Sequence, residues 1–177
     1  MLSSTSCLLR PVEKEDIERS LVWRNDDAIK KNLLSYRLPI TKPMEDAWIE
    51  KAMNGDKDRI VFAIEDVATK KHVGFIELNS IDYFNRNAQY AIVIGDENAR
   101  GKGIASSATQ LILNYGFNQL NLHKIYLQVA AYNTNALQLY KKLNFKEEGT
   151  LIQQHFMDGQ YHNMICMAIL AENFNIS

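Results

Sequence analysis

Alternating apolar and polar positions along the chain predict a mixture of strands and helices. The run Tyr90-Ala91-Ile92-Val93-Ile94 is rich in β-branched residues and is therefore typical of a buried strand. After a short polar loop, apolar residues recur at helical spacing from about Ile104 to about Leu120, which predicts an amphipathic helix. A glycine-rich turn thus links a buried strand to the N-terminus of a helix.

The same patterns place the remaining elements. Asp158-Gly159 stands between two apolar runs, which is typical of a β-hairpin, and Pro11 and Pro43 stand near helix starts. Strands are predicted over residues 7–10, at the sheet edge, and over 59–66, 72–81, 87–94, 124–129 and the two arms of a closing hairpin between 155 and 170. Further helices are predicted over residues 11–23, 27–34, 43–55 and 133–144. We expect an α/β (α+β) chain that forms a single domain over residues 1–177.

Composition narrows the class of protein. The formal net charge is −1, which leaves no electrostatic footprint for nucleic acid or an anionic membrane. No apolar stretch reaches spanning length, and the first six residues lack a basic region followed by an apolar core, so we expect a soluble, cytoplasmic protein. Cys7 and Cys166 stand in apolar, strand-like settings and are interpreted as reduced, buried side chains. The four histidines lack a metal-ligand spacing, so no metal is expected.

The turn Arg100-Gly101-Lys102-Gly103-Ile104-Ala105 is suited to binding an anion. Its glycines let backbone N–H groups come close to a ligand, and the dipole of the following helix favours negative charge there. A pyrophosphate fits such a cradle. A tight turn without a ligand is the structural alternative, and the sequence matches neither the dinucleotide fingerprint nor the phosphate loop of nucleotide-binding proteins.

Three segments, in this order, resemble the GNAT acetyltransferase superfamily. The turn matches its acetyl-CoA pyrophosphate loop, R/Q-x-x-G-x-G/A. Residues 133–145 resemble its segment N-x-x-A-x-x-L-Y-x-x-x-G-F, and both Asn133 and Asn144, which stands where glycine is usual, suit helix caps. The closing hairpin, with Gly159-Gln160-Tyr161, is similar to that of spermidine and ribosomal-protein-alanine acetyltransferases.

This resemblance implies a fold and a reaction. In the GNAT fold a mixed, mostly antiparallel sheet with helices on both faces splays apart in the middle, and the pantetheine arm of acetyl-CoA lies in the gap. Tyr140 would be the general acid that protonates the leaving thiolate while an amine attacks the acetyl group directly. A core aromatic on the apolar face of its helix is the structural alternative for Tyr140. The implied acetyl-CoA contacts are Ile92, Val93, Ile94, Arg100, Gly101, Lys102, Gly103, Ile104, Ala105, Asn133 and Tyr140.

A general base has to be sought among the remaining carboxylates. Related acetyltransferases place a glutamate where this chain has Gln89 or Gln128, and glutamine cannot take a proton. Glu77, within Gly74-Phe75-Ile76-Glu77-Leu78, is the candidate catalytic carboxylate, with an outward, solvated glutamate as the alternative. His155 is a second candidate, and desolvation or a water relay could also serve.

The amine acceptor has to be argued from the variable N-terminal half of the chain. Basic and aromatic residues there suit the diphosphate and base of a nucleotide-linked amino sugar, and Trp23-Arg24-Asn25 resembles a segment of amino-sugar acetyltransferases. Ordinary helix packing is the alternative for Trp23 and Tyr36. The candidate substrate-binding residues are Trp23, Arg24, Tyr36, Arg37, Tyr83 and Arg86.

Other functions stay open at this point. The acceptor could instead be a polyamine such as spermidine or a protein N-terminus of the ribosomal-protein-alanine type. A function of another class is a catalytically inactive CoA-binding sensor or interaction module, which Gln89 and Gln128 would suit. The expected partners are a small-molecule amine and CoA, with a homodimer as an open alternative.

Overall fold

One eight-stranded sheet forms the centre of the protein, and the computed structural model describes residues 2–33 and 38–174. The strands follow the spatial order β1-β2-β3-β4-β5-β6-β8-β7, and in chain order they are β1 (Leu2–Ser3), β2 (Cys7–Arg10), β3 (Ile60–Asp66), β4 (Lys71–Asp82), β5 (Asn87–Ile94), β6 (Lys124–Ala130), β7 (Lys146–Met157) and β8 (Gln160–Leu170). Neighbouring strands are antiparallel except β5 and β6, which run parallel. The sheet is therefore mixed and mostly antiparallel, as the resemblance implies.

Helices cover both faces of this sheet. Those described are α1 (Ile17–Asn25), α2 (Asp27–Lys30), α3 (Lys42–Asn54), α4 (Ile104–Asn118) and α5 (Thr134–Lys142). The helices α1 to α3 lie on one face, where Trp23 packs in a core cluster with Phe75. The helices α4 and α5 lie on the other, where Ile112 and Tyr140 join a larger cluster with Tyr90. Within the described ranges, no helix is long and apolar enough to cross a membrane.

Some predicted boundaries near the N-terminus are wrong. The strand β2 is not at the sheet edge, because it pairs with β1 on one side and β3 on the other. A two-residue strand such as β1 has no alternation from which it could be predicted. The first helix begins at Ile17 rather than Pro11, since a capping box and the 3-10 turn Lys14–Asp16 precede it. The second helix ends at Lys30, where the chain passes into turns.

The closing hairpin is longer than predicted. The strand β7 begins at Lys146, and its side chains through residue 154 are exposed, so this stretch lacks the alternation that marks a strand. Cys166 on β8 is only half-buried, because it faces away from the core cluster that contains its neighbour Met167. Cys7 is buried, and both cysteines are free, as predicted.

The strands β5 and β6 separate soon after they meet. Their pairing covers Asn87 with Lys124, Ala88 with Ile125 and Gln89 with Tyr126. Beyond this point β5 stays paired with β4, and β6 stays paired with β8. A gap therefore opens in the middle of the sheet, which confirms the splayed sheet that the resemblance implies.

Candidate active site

The gap between β5 and β6 forms a cleft of about 600 Å³. Its lining includes Tyr90 and Ile92 from the core on the α4–α5 face, and Phe75 and Val93 from the core on the α1–α3 face. The cleft therefore passes through the sheet, so that two ligands can meet in it from opposite faces. We call its two ends the α5 side and the α1 side.

The turn before α4 has the form of an anion cradle. Gly101 and Gly103 have φ angles of 74° and 76°, a left-handed conformation that other residues rarely adopt. Apart from the flanking residues, no atom of the described chain lies within 4 Å of where a Cβ would stand on either glycine, so the turn is open on that side. The first N–H groups of α4 have no acceptor within the helix, and Arg100 lines the cleft beside them. Residues 100–105 therefore fit the pyrophosphate of acetyl-CoA.

The facing edges of β5 and β6 fit the amides of a pantetheine arm. Ile92, Val93 and Ile94 line the cleft from one edge, and residues 127–129 line it from the other. At this level each strand is paired only along its far edge, so backbone N–H and C=O groups of the near edges point into the gap. Such groups can bind an extended ligand in the way an added strand is bound.

Tyr140 reaches the α5 side of the cleft from a buried position. The residue is 8% exposed, and burial raises the pKa of its hydroxyl to about 12. The rings of Tyr90 and Phe145 hold it, with centroids 5.9 and 5.6 Å from the Tyr140 centroid. Tyr140 is thus a core aromatic and a cleft residue at once. With this pKa the hydroxyl stays protonated at neutral pH and is available as a proton donor.

Both ends of α5 are fixed by asparagines, as predicted. The Oδ1 atom of Asn133 accepts a hydrogen bond from the Ala136 N–H at 3.2 Å, and Asn133 also lines the cleft. At the other end Asn144 has a φ of 67°, and the N–H of Phe145 donates to the Tyr140 carbonyl at 3.0 Å. This is the Schellman arrangement, and it ties the backbone of Tyr140 directly to the cap.

Glu77, on β4, lines the α1 side of the cleft. Arg59 donates to its Oε2 through Nε at 3.0 Å and also through Nη2, and Asn79 donates to its Oε1 at 2.9 Å. The side chain of Glu77 is 18% exposed, so it is not an outward, solvated residue. Gln89 is the cross-strand partner of Asn79 and lines the cleft beside it.

Trp48 and Arg59 also line the cleft, although the sequence patterns do not predict them there. The guanidinium carbons of Arg24 and Arg59 lie 5.3 and 5.2 Å from the centroid of the Trp48 ring, within cation–π range. Arg24 also donates to the fully buried Glu45 at 2.9 Å. Helical spacing within α3 does not show which strands the Trp48 side chain meets.

Two further predicted residues are buried in aromatic surroundings. Trp23 lines the cleft, and its ring also packs edge-on against His72 and Phe75, so helix packing accounts for it as well. His155, the second candidate base, is buried on β7 with its ring 6.1 Å from that of Tyr132. It is not among the described residues that line the cleft.

Two of the other predicted substrate residues, Tyr83 and Arg86, are not brought to the cleft. Tyr83 is 56% exposed between β4 and β5, and the guanidinium of Arg86 donates to the Asn121 carbonyl at 2.7 Å. Neither appears in the part of the cleft lining that the structure describes. Tyr36 and Arg37 lie outside the described residues.

Positive charge predominates in the described lining of the cleft. Arg24, Arg59 and Arg100 line it, against the carboxylate of Glu77. The buried Glu45 adds a second carboxylate behind Arg24, at 2.9 Å. Among the described residues, no three His, Cys, Asp or Glu side chains form a group that could hold a metal ion.

Comparison with known proteins decides the family. A sequence model described as the acetyltransferase (GNAT) domain matches residues 7–146. The chain belongs to the GNAT acetyltransferase family. It is an acyl-CoA-dependent N-acetyltransferase that uses acetyl-CoA, which confirms the predicted family, fold, enzyme class and co-substrate.

The similarity to individual relatives extends over nearly the whole chain. The spermidine N(1)-acetyltransferase of Escherichia coli K12 is 33% identical over 174 residues, which are 98% of this chain and 91% of that protein. The Vibrio cholerae spermidine N(1)-acetyltransferase is 42% identical over 113 residues, 64% of each chain. The structure of the V. cholerae enzyme in complex with CoA and spermine has a TM-score of 0.88 at 31% identity, covering 96% of this chain and 98% of that one. A dodecameric structure of the V. cholerae enzyme is also similar, with a TM-score of 0.80 at 32% identity over 96% of both chains.

Proposed function

We propose that the protein acetylates a primary amine of a polyamine of the spermidine type. The observation that carries this proposal is the 33% identity to a spermidine acetyltransferase over 98% of the chain. The TM-score of 0.88 with an enzyme in complex with CoA and spermine supports it. The polyamine alternative thereby takes precedence over the nucleotide-linked amino sugar that the sequence analysis favoured.

Tyr140 supplies the proton that the leaving group needs. When bound, acetyl-CoA provides the acetyl thioester, and the α5 side of the cleft offers the residues that fit it. Burial raises the pKa of the Tyr140 hydroxyl to about 12, so the proton is in place throughout the neutral range. No covalent intermediate on the protein is needed, because holding both substrates in one cleft removes much of the barrier.

Glu77 is our candidate for receiving the amine. It lines the α1 side of the cleft, on the sheet face opposite to the one where Tyr140 packs. Arg59 donates twice to Oε2 and Asn79 donates once to Oε1, which fixes the carboxylate and leaves Oε1 with acceptor capacity for an ammonium group. The attacking amine then has an acceptor for its proton within the same cleft.

A second acceptor class is favoured by the charge of the cleft. Of the described residues, three arginines line it together with Trp48, and guanidinium groups with an aromatic ring suit an amine that carries phosphate, such as a nucleotide-linked amino sugar. Arg24 and Trp23, two of the residues predicted for that substrate, are cleft residues. This class is the direct competitor of the polyamine proposal.

The two classes are separated by the rate of thiol release from acetyl-CoA with a panel of amines. The panel contains spermidine, spermine, a nucleotide-linked amino sugar and a peptide with N-terminal alanine. We expect turnover with the polyamines. Turnover confined to the nucleotide sugar, or to the peptide, would contradict the proposal.

Arg59→Gln gives opposite results for the two classes. The substitution leaves the Glu77 carboxylate without its guanidinium partner, which makes the α1 side more negative. A polyamine should then show a lower KM, because its ammonium no longer competes with Arg59, whereas an acceptor that carries phosphate should show a higher KM. The KM for acetyl-CoA serves as the internal control and should stay unchanged.

A further inference from the structure

A second hollow adjoins the cleft at the point where β5 and β6 part. Its volume is about 350 Å³, and it is lined chiefly by polar side chains of β5 to β8: Asn87, Lys124, Tyr126, Gln128, Glu148 and Cys166. Gln128 and Leu127 line both this hollow and the cleft, so the two spaces are neighbours. We call this second space the distal hollow.

The distal hollow shares a sheet face with the α1 side of the cleft. Directly paired strand residues project to the same face, and the pairs Asn79 with Gln89 and Gln89 with Tyr126 form one row across β4, β5 and β6. Gln128 lies two residues beyond Tyr126 on β6 and is paired with Cys166. A row of polar side chains thus leads from the neighbour of Glu77 to the distal hollow, over two strand spacings or about 10 Å.

The charges of the two spaces differ. Arg24 and Arg59 line the cleft near Glu77 and are paired with Glu45 and Glu77, so this part of the cleft has no excess negative charge to hold a second ammonium group. The charged groups in the distal hollow are a balanced pair, since Lys124 Nζ lies 2.6 Å from Glu148 Oε1. In its described lining the distal hollow thus offers an ammonium group the Glu148 carboxylate without a guanidinium group beside it.

The side chains of the distal hollow suit ammonium groups and methylene chains. Of the lining residues, Asn87 and Gln128 carry amide oxygens of the kind that accept hydrogen bonds, Tyr126 carries an aromatic ring of the kind that binds cations, and Glu148 carries a carboxylate. We propose that the distal hollow binds the part of a polyamine beyond its reacting amine, including the ammonium group farthest from that amine. The identity of this ligand rests on the proposed function, whereas the hollow and its polar lining do not.

Cys166 allows binding in the distal hollow to be measured without catalysis. The chain has two cysteines, and Cys7 is 0% exposed with its thiol pKa raised by burial, so a thiol reagent reports on Cys166. Without acetyl-CoA, saturating spermidine or spermine should slow the reaction of Cys166 with iodoacetamide severalfold. Putrescine, which is too short to reach from Glu77, should leave the rate unchanged.

Steady-state kinetics test the same proposal through Glu148. Glu148→Gln should raise the KM for spermidine severalfold and leave the KM values for putrescine and acetyl-CoA unchanged. Glu147→Gln is the matched control, since Glu147 is an exposed neighbour on β7 that does not line the hollow. It should leave all three values unchanged.

The outcomes distinguish this proposal from the proposed function. The enzyme could turn over spermidine while spermidine gives Cys166 no protection and the variants Glu148→Gln and Glu147→Gln have equal kinetics. This result would overturn the proposed binding in the distal hollow and leave the proposed function standing. If spermidine protects Cys166 but is not acetylated, the hollow is supported as a polyamine site and the proposed function is contradicted.

Discussion

The side chain of Tyr140 combines a structural and a chemical part, and the two can be separated by removing one atom. Tyr140→Phe deletes the hydroxyl but keeps the ring contacts with Tyr90 and Phe145. We expect kcat to fall by about 10²–10⁴-fold, the range for a lost general acid, because the leaving thiolate loses its proton donor. Calorimetric titration should show an unchanged Kd for acetyl-CoA. Wild-type turnover in this variant would reduce Tyr140 to a core residue.

Whether two site residues can be predicted to lie together depends on how far apart they are in the sequence. Asn133, Tyr140 and Asn144 lie within one short segment, so helical spacing and cap preferences relate them before any tertiary contact is known. Trp48 and Arg59 meet only because α3 packs on the sheet, and no spacing rule encodes that meeting. Spacing rules therefore relate the residues on the α5 side of the cleft to one another, but not those on the α1 side.

The C-terminal cap of α5 depends on the left-handed backbone conformation of Asn144. Asn144 has a φ of 67°, where glycine is free of strain and a β-branched residue is not. Asn144→Gly should therefore leave the free energy of unfolding nearly unchanged, whereas Asn144→Val should lower it by about 1–2 kcal/mol. Urea unfolding followed by circular dichroism measures both. Equal stability of the two variants would contradict the role of this cap.

Strand β7 shows where prediction of elements fails. Apolar alternation marks a strand only when one of its faces is buried, and the first nine residues of β7, from Lys146, are exposed. Their strand conformation comes from backbone pairing with β8, which the register shifts near Glu147 and Leu151 interrupt. Pairing between backbones leaves no signature in the side chains, so this half of the hairpin could not be predicted.

In the molecule as a whole, a buried ionic cluster around Asp16 connects the N-terminal elements of the fold to the sheet. Burial opposes the ionisation of Asp16, but hydrogen bonds from Arg10 and the Glu13 N–H, together with the His72 Nδ1 atom 3.0 Å from its Oδ1, outweigh this effect and hold the pKa of Asp16 well below the usual range. These contacts connect β2, the turn before α1 and the start of β4. Ionised Asp16 therefore stabilises the fold of this end.

The stability of this cluster should depend on pH in a defined direction. A carboxyl group with a depressed folded-state pKa stabilises the protein above its unfolded-state pKa of about 3.9, and this stabilisation is lost as the pH falls further. At pH 7, Asp16→Asn should lower the free energy of unfolding by about 3 kcal/mol, and the deficit should shrink below about pH 4. Asp46→Asn, at an exposed ion pair with Lys42, is the control and should cost under about 1 kcal/mol. A deficit for Asp16→Asn that persists undiminished at pH 3 would contradict this account.

The two parts of the sheet are connected across β5 and β6 by three residue pairs, and a ligand in the gap adds contacts to both sides. Acetyl-CoA at about 100 times its Kd should stabilise the fold by about 2.7 kcal/mol, which raises the Tm by about 5–10 °C.

Gly103→Val should reduce this shift, because a β-branched residue disfavours the φ of 76° that opens the backbone to the pyrophosphate. Gly159→Val is the matched control: its φ of 80° is equally left-handed, but it lies in the β7–β8 turn, so the shift should persist. Thermal unfolding of both variants with and without acetyl-CoA decides the matter, and equal shifts would place the pyrophosphate elsewhere.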